Sequence, residues 1–391
     1  MHEGFPVLLG SGLLVLLLFA FGYAGAKVKI PGVILYILLG IALGRFIGEN
    51  ELLHTASEIG IVLLFFLLGM EFPADRLVGI AKKVWKAGVL DVILNLLITA
   101  AICYVFGLDL LSAFLIGGIV YATSSSITAK LLESSRRMAN RESEFMLALL
   151  IFEDLVAPVF VAILLGMTSG EDMGVLQFSI LVGKIVLLAA GAIFIGRFVF
   201  RRLGTFIERI NDEDTFVLLT VGIALAYGGL AIYLGLSEVL GAFLAGMMLS
   251  ETKRSDDIEQ NVLPIRDLLL PLFFLNFGTT ITFGGGIPMA GLLTMILIWS
   301  ITAKVAVGIL GGRWYGLGKR GAFRAGLSLV SRGEFSVVLA GLAMGSMKVF
   351  AGIYILAAAF IGILFFQLAP RLTKAVYGEQ KKEHRKVKVP G

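Results

Sequence analysis

Runs of roughly 20 apolar residues, the length a helix needs to cross a hydrocarbon core, recur along the whole of this 391-residue chain. Hydrophobic residues make up 58% of it and charged ones only 16%, and the mean hydropathy is +0.94. No soluble domain has that balance, so the chain reads as an all-α polytopic membrane protein. Breaking it at charged and Gly/Pro-rich interruptions predicts thirteen transmembrane helices, near residues 6–26, 31–47, 57–72, 85–106, 112–131, 144–167, 175–198, 213–234, 238–250, 262–280, 289–311, 321–346 and 350–374.

The distribution of positive charge gives these helices a direction, because cytoplasmic loops are enriched in Lys and Arg. With the N-terminus outside and the C-terminus inside, all but five of the 33 basic residues fall on the inner side. Arg45 and Lys348 lie outside, and Lys184, Lys304 and Arg332 lie within spans. One helix more or fewer in mid-chain would destroy that asymmetry. The same bias accounts for the pI of about 9.2, so the basic residues do not point to nucleic acid. A single cysteine, Cys103, excludes a disulfide framework. The three histidines have no metal-ligand spacing, and no phosphate loop or nucleophile elbow is present. No cofactor and no enzymatic activity are expected.

What remains is charge inside the membrane. An ionisable side chain at mid-bilayer costs at least about 2.5 kcal/mol, so it faces a cavity or a partner and marks an ion path. The stretch "ALLIFEDLVAPVF" sets Glu153 beside Asp154 in an otherwise apolar run. Adjacent helical positions point about 100° apart, so the two carboxylates cannot share one partner face. Pro158 lacks the N–H that would bond the Asp154 carbonyl and is expected to bend the helix there. A carboxylate with a loosened carbonyl suits a small, hard cation. Asp91 lies about one and a half turns from Lys86, and a structural hydrogen bond and a functional role are both open to it.

Two further stretches look like broken helices. Thr123, Ser124, Ser125 and Ser126 interrupt the fifth span, and Ser331, Arg332, Gly333 and Glu334 interrupt the twelfth. Hydroxyls bonding back to their own helix are the bland alternative for the first. The fifth helix runs inward and the twelfth outward, which implies inverted repeats. Interrupted segments in corresponding places of such repeats point to a transporter site at the midplane. Gly40, Gly44 and Gly48 recur every four residues on the second helix and permit close helix approach, either at a dimer interface or within one subunit.

At these residues the chain resembles a known family. "SEIGIVLLFFLLGMEF", "SEVLGAFLAGMMLS", "LLLPLFFLNFGTTI" and "SRGEFSVVL" are similar to the third, ninth, tenth and twelfth helices of the second family of monovalent cation:proton antiporters. That family includes NapA-type sodium/proton antiporters and the membrane part of Kef-type potassium efflux systems. The resemblance implies a homodimer in the cell membrane, with a dimer or scaffold domain and a mobile core domain whose two broken helices cross at the midplane. On that pattern residues 1–83 and 173–286 form scaffold and linking helices. Residues 84–172 and 287–376 form the two repeats of the core, and 377–391 a basic cytoplasmic tail. It further implies that Asp154 is the main ligand of the transported cation, with Glu153 beside it and Lys304 as the lysine of the eleventh helix. NapA-like members commonly carry two aspartates where this chain has Glu then Asp, and Kef-like members carry Gln then Asp.

The mechanism implied has Asp154 bind either a proton or a dehydrated cation, with Thr123, Ser124 and Ser125 supplying further oxygens. Glu153 pairs with Lys304, while Arg332 and Glu334 compensate half-helix dipole ends. The expected function is exchange of a monovalent cation, sodium in first place, for protons by alternating access. Potassium/proton exchange of Kef-like type is the alternative. Two acids and a lysine favour electrogenic exchange over a one-for-one exchanger, which needs only a single titrating acid. A channel would need a filter-like repeat, which is missing, and an organic-solute symporter would have less use for a buried Glu, Asp and Lys set.

Overall fold

The structure, a computed structural model, describes residues 6–28, 30–47, 50–70, 74–168, 175–196, 213–250, 252, 254–281 and 287–378. Among the described residues all regular structure is helical. The first half of the chain forms α1 (Val7–Val28), α2 (Gly32–Ile47), α3 (Glu51–Met70), α4 (Ala74–Asp91), α5 (Ile98–Val105), α6 (Leu110–Tyr121), α7 (Ser125–Ser134) and α8 (Arg141–Thr168). The second half forms α9 (Val175–Phe194), α10 (Glu213–Tyr233), α11 (Glu238–Ser250), α12 (Ser255–Thr279), α13 (Ala290–Trp314), α14 (Lys319–Ser328), α15 (Glu334–Gly341) and α16 (Gly345–Tyr377). Eight of the described helical stretches are long and apolar enough to cross a membrane, and the chain is a multi-pass membrane protein.

Helix ends follow capping more closely than hydropathy. α3 starts at Glu51 rather than near residue 57, because Asn50 Oδ1 accepts the Leu53 amide at 3.2 Å. An exposed His54–Glu58 contact at 3.4 Å lies on its polar first turns. Asp109 caps α6 in the same way, its side chain accepting the Ser112 amide at 3.0 Å. Those hydrogen bonds hold the Asp109 carboxyl below its ordinary value. The cap therefore stabilises the fold above that ordinary value, and its contribution is lost as pH falls through the lowered one. Asp109→Ala is expected to lower stability by about 1 kcal/mol at neutral pH, with the difference from wild type shrinking in acid. Thermal unfolding in detergent across pH measures both.

α3 packs on α11 and α12, α2 on α12, and α10 on α11. The approach of α2 to α12 answers the question raised by the Gly40 and Gly44 repeat. A Cβ on Gly40 would meet the Leu275 carbonyl, one on Gly278 the Ile37 carbonyl, and one on Gly44 the Thr279 carbonyl at 2.8 Å. The small residues serve backbone contact inside one chain; Gly48 lies outside the described residues. Around the other elements α13 packs on α14 and α4, and α6 on α5 and α15.

Two features of this second group position the charged residues. Between α4 and α5 the chain passes through one π-helical turn, Val92–Leu97, starting immediately after Asp91. Such turns recur at functional sites because the wider turn re-aims the side chains on either side. The Leu94 carbonyl accepts from Trp299 Nε1 on α13 at 3.1 Å, which ties the turn to the helix carrying Lys304. The second feature is the pair of breaks, at 122–124 between α6 and α7 and at 329–333 between α14 and α15. α8 is one unbroken helix through Pro158, so the ring removes a donor without ending the helix.

Candidate functional site

The two breaks meet each other. The Ser124 amide donates to the Ser331 carbonyl at 3.0 Å, joining backbones more than 200 residues apart in sequence. Gly333 is required for that approach, since a Cβ there would collide with the Ser124 hydroxyl. Four half-helix ends then converge in protein interior, where unpaired backbone groups are costly, and side chains satisfy them. Ser124 Oγ accepts the Ile127 amide at 3.2 Å and so caps α7. Ser336 Oγ donates to the Ile119 carbonyl at 2.7 Å, at the end of α6. Arg332, fully buried, directs Nη1 at the Leu329, Val330 and Ser331 carbonyls at 3.3, 3.0 and 3.4 Å. A cation thus sits at the negative end of α14, and Glu334 sits in the first turn of α15, at its positive end. Glu334 Oε2 accepts from Ser124 Oγ at 2.9 Å, which ties the two breaks a second time.

Next to the crossing lies a fully buried charge cluster. Lys304 Nζ is 3.0 Å from Glu153 Oε1 and 2.8 Å from Asp91 Oδ2, and all three side chains have zero solvent exposure. Glu153 is bound to the break as well, Oε2 accepting the Thr123 amide at 2.5 Å. Asp91 is steadied by Asn95 Nδ2 at 2.8 Å, across the π turn. Asp154 is 3% exposed and, one helical position on, faces away from its neighbour's partners. One buried cation between two buried carboxylates carries a net negative charge, and Asp154 adds another when ionised. A cation or a proton is what would balance that excess.

The structure brings together Thr123, Ser124, Glu153, Asp154, Lys304, Arg332 and Glu334, with Ser125 opening α7 beside them. The Thr123 hydroxyl turns across the crossing, while Ser124 Oγ both reaches Glu334 and caps its own helix. Thr123 Oγ1 is 3.3 Å from Glu153 Oε1 and 3.3 Å from the Leu329 carbonyl, and Thr128 Oγ1 lies 3.5 Å from Ser331 Oγ. The sequence reading left open a structural bond from Asp91 to Lys86, and that bond is not formed. Lys86 is exposed, with its amine over the Trp85 ring, and Asp91 reaches Lys304 on a helix 213 residues away. Ser336 and Asn95 also escaped the sequence reading. The i, i+4 spacing of Asp91 and Asn95 within an apolar span was the available signal for the second. Among the described residues no group of His, Cys, Asp and Glu has metal-cluster geometry.

Comparison with known proteins places this geometry in context. Residues 13–375 match the family described as sodium/hydrogen exchanger, transmembrane. The chain is 59% identical over 377 residues to the ammonium/proton antiporter subunit AmhT of Alkalihalophilus pseudofirmus, covering 96% of this chain and 97% of that one. It is 28% identical to the potassium/proton antiporter subunit KhtU of Bacillus subtilis, over 88% of this chain and 89% of that one. The fold is similar to that of the sodium/proton antiporter MjNhaP1 from Methanocaldococcus jannaschii, with a TM-score of 0.69 at 21% identity, covering 94% of this chain and 98% of that one.

Proposed function

Because the chain belongs to the sodium/hydrogen exchanger family of monovalent cation:proton antiporters, we propose that it exchanges ammonium for protons at Asp154, with potassium and sodium as weaker substrates. The observation that carries the site is the cluster of Asp91, Lys304 and Glu153 at zero exposure against the crossing. The relative named for ammonium, at 59% identity, moves the cation preference away from the sodium expected from sequence. Two of the relatives are named as subunits, and a second, non-identical chain is proposed as a partner on that ground. Adding ammonium, potassium or sodium chloride to purified protein in weakly buffered detergent tests the assignment. Proton release should be half-maximal at the lowest concentration for ammonium; equal midpoints, or sodium lowest, would reject it.

The proposed architecture has thirteen spans, the N-terminus outside and the C-terminus inside. Residues 84–172 and 287–376 act as the mobile core of an elevator-type transporter, and 1–83 and 173–286 as its scaffold. Support comes from the two broken helices and from the packing of α2, α3, α10, α11 and α12 on one another. The tail lies outside the described residues beyond Gly378. Only 6% of the apolar span of α1 is buried, which leaves a face for lipid and for the second copy of a homodimer.

Asp91 changes how the coupling works. When Glu153 takes a proton, Lys304 keeps a full counter-charge in Asp91, so the lysine stays protonated and Glu153 carries the second proton. Two protons then move against one cation, and transport is electrogenic. Asp91→Asn is expected to keep proton–cation exchange but to lose the current on a cation jump at a solid-supported membrane, because Lys304 then holds Glu153 ionised. A current of wild-type size in that variant contradicts the role given to Asp91. Replacing Thr123, Ser124 or Ser125 by Ala is expected to raise the apparent cation KM up to about tenfold, the scale of one lost hydrogen bond. An unchanged KM in all three would leave these hydroxyls a purely structural role.

A further inference from the structure

On the face where the basic loops concentrate, the structure contains a cavity of about 810 Å³ whose lining shares no residue with the ion site. Five basic side chains, Arg141, Lys319, Arg320, Arg324 and Lys374, line it against one acid, Glu142. The positive-inside bias explains why such residues lie on this face. It does not explain why they converge on a concavity, nor why several are held in place. Arg324 Nη2 is 2.6 Å from Glu142 Oε1, and Asn140 Nδ2 bonds the same oxygen at 3.1 Å. Arg137, its guanidinium over the Phe366 ring, lies 3.8 Å from that oxygen. Glu142 is thus neutralised locally, and the cavity keeps an excess of positive charge. Arg320 is fixed from the other wall, Nη2 donating to the Tyr377 carbonyl at 2.6 Å.

The backbone adds to this field. α8 begins at Arg141 and α14 at Lys319, so two helix N-termini open on the cavity. The first intrahelical bond of α14 runs from the Ala322 amide to the Gly318 carbonyl at 3.0 Å. Gly318 offers no side-chain cap, so the amides of the first turn are directed at the cavity with the positive end of the helix dipole. Helix N-termini flanked by guanidinium groups are a setting for phosphate oxygens. The volume lies in the range of sites for small organic ligands, well beyond the size of a single inorganic ion.

We infer that this cavity is a regulatory site for a phosphate-bearing anion, the phosphate belonging either to a soluble compound or to a phospholipid headgroup. Its position gives it leverage on transport, whichever cation is carried. The two helices that start here carry the ion site at their other parts: α8 holds Glu153 and Asp154, and α14 ends, about 15 Å away by its ten residues, at the crossing. A bound anion joins the ends of α8, α14 and α16, and favours whichever state of the transporter keeps them together.

The test uses the full chain. Calorimetric titration with pyrophosphate and with ADP in detergent at constant ionic strength probes the soluble source. Native mass spectrometry after exchange into phosphatidylcholine with and without phosphatidylglycerol probes the lipid source. Saturable binding of a soluble probe, or selective retention of phosphatidylglycerol, supports the site and says which source supplies the phosphate. Arg141→Gln with Lys319→Gln is expected to weaken that binding at least about tenfold, as is Lys374→Gln on the opposite wall should the first variant fail to fold. Arg313→Gln, an exposed charge outside the cavity, should leave it unchanged. No binding of any of these probes, or equal weakening by Arg313→Gln, overturns the inference.

Discussion

Asp154→Asn is expected to reduce cation-driven proton flux in proteoliposomes to the level of empty vesicles while the protein stays folded. Asn keeps the volume of the side chain and removes its titrating charge. A monovalent cation entering a site that is 3% exposed gives up its water, and the remaining acids Asp91 and Glu153 are engaged by Lys304, so without Asp154 no carboxylate is left to replace that water. The proton that competes with the cation at Asp154 is lost in the same step, so the Glu153 proton has no cation to exchange against. Stability should not fall, because an ionised carboxylate in the interior is itself costly. Size-exclusion retention and the unfolding midpoint in detergent check the fold. Full proton release from the purified variant on cation addition would move the site to another acid.

The second large effect is one of stability. Lys304→Gln leaves Asp91 and Glu153 facing each other with no cation between them, all at zero exposure. Removing one partner of a buried pair typically costs about 3–5 kcal/mol, mostly through the charge left behind. Here two carboxylates are left behind, so the upper part of that range is expected at neutral pH. The loss should shrink in acid, where both carboxyls can be protonated. Asp91→Asn placed on top of Lys304→Gln should recover part of the stability, because Glu153 alone still accepts the Thr123 amide. The unfolding midpoints of wild type, both single variants and the double variant form a cycle that isolates the coupling. Additive changes would mean that Asp91 and Lys304 do not share one charge balance.

Much of this protein was legible in one dimension because the bilayer makes local sequence expensive to misread. Apolar runs announce spans, a charge inside one announces a site, and Ser-rich or Gly-containing interruptions announce broken helices. Glu153, Asp154, Lys304, Arg332 and Glu334 were each singled out as candidates that way, before any partner was known. Helix ends were less legible: α3 begins six residues before its apolar run, because capping by Asn50 and a polar first turn leave no mark in hydropathy.

What only the tertiary structure decided is which groups meet. The apolar spans hold several acids, and nothing in the spacing of Lys304 says that Asp91, 213 positions earlier, shares it with Glu153. Asp91 had a nearer basic residue in Lys86, but five positions along α4 turn the two side chains about 140° apart. The Thr123 and Ser124 hydroxyls had carbonyls of their own helix in reach, and the contact between the breaks gave them Glu153 and Glu334 instead. Gly40 and Gly44 marked a close approach without naming its partner, which proved to be α12. The cost of burying a charge or breaking a helix is paid locally and so is written locally; the partner that offsets it is selected by distance and direction in the folded chain.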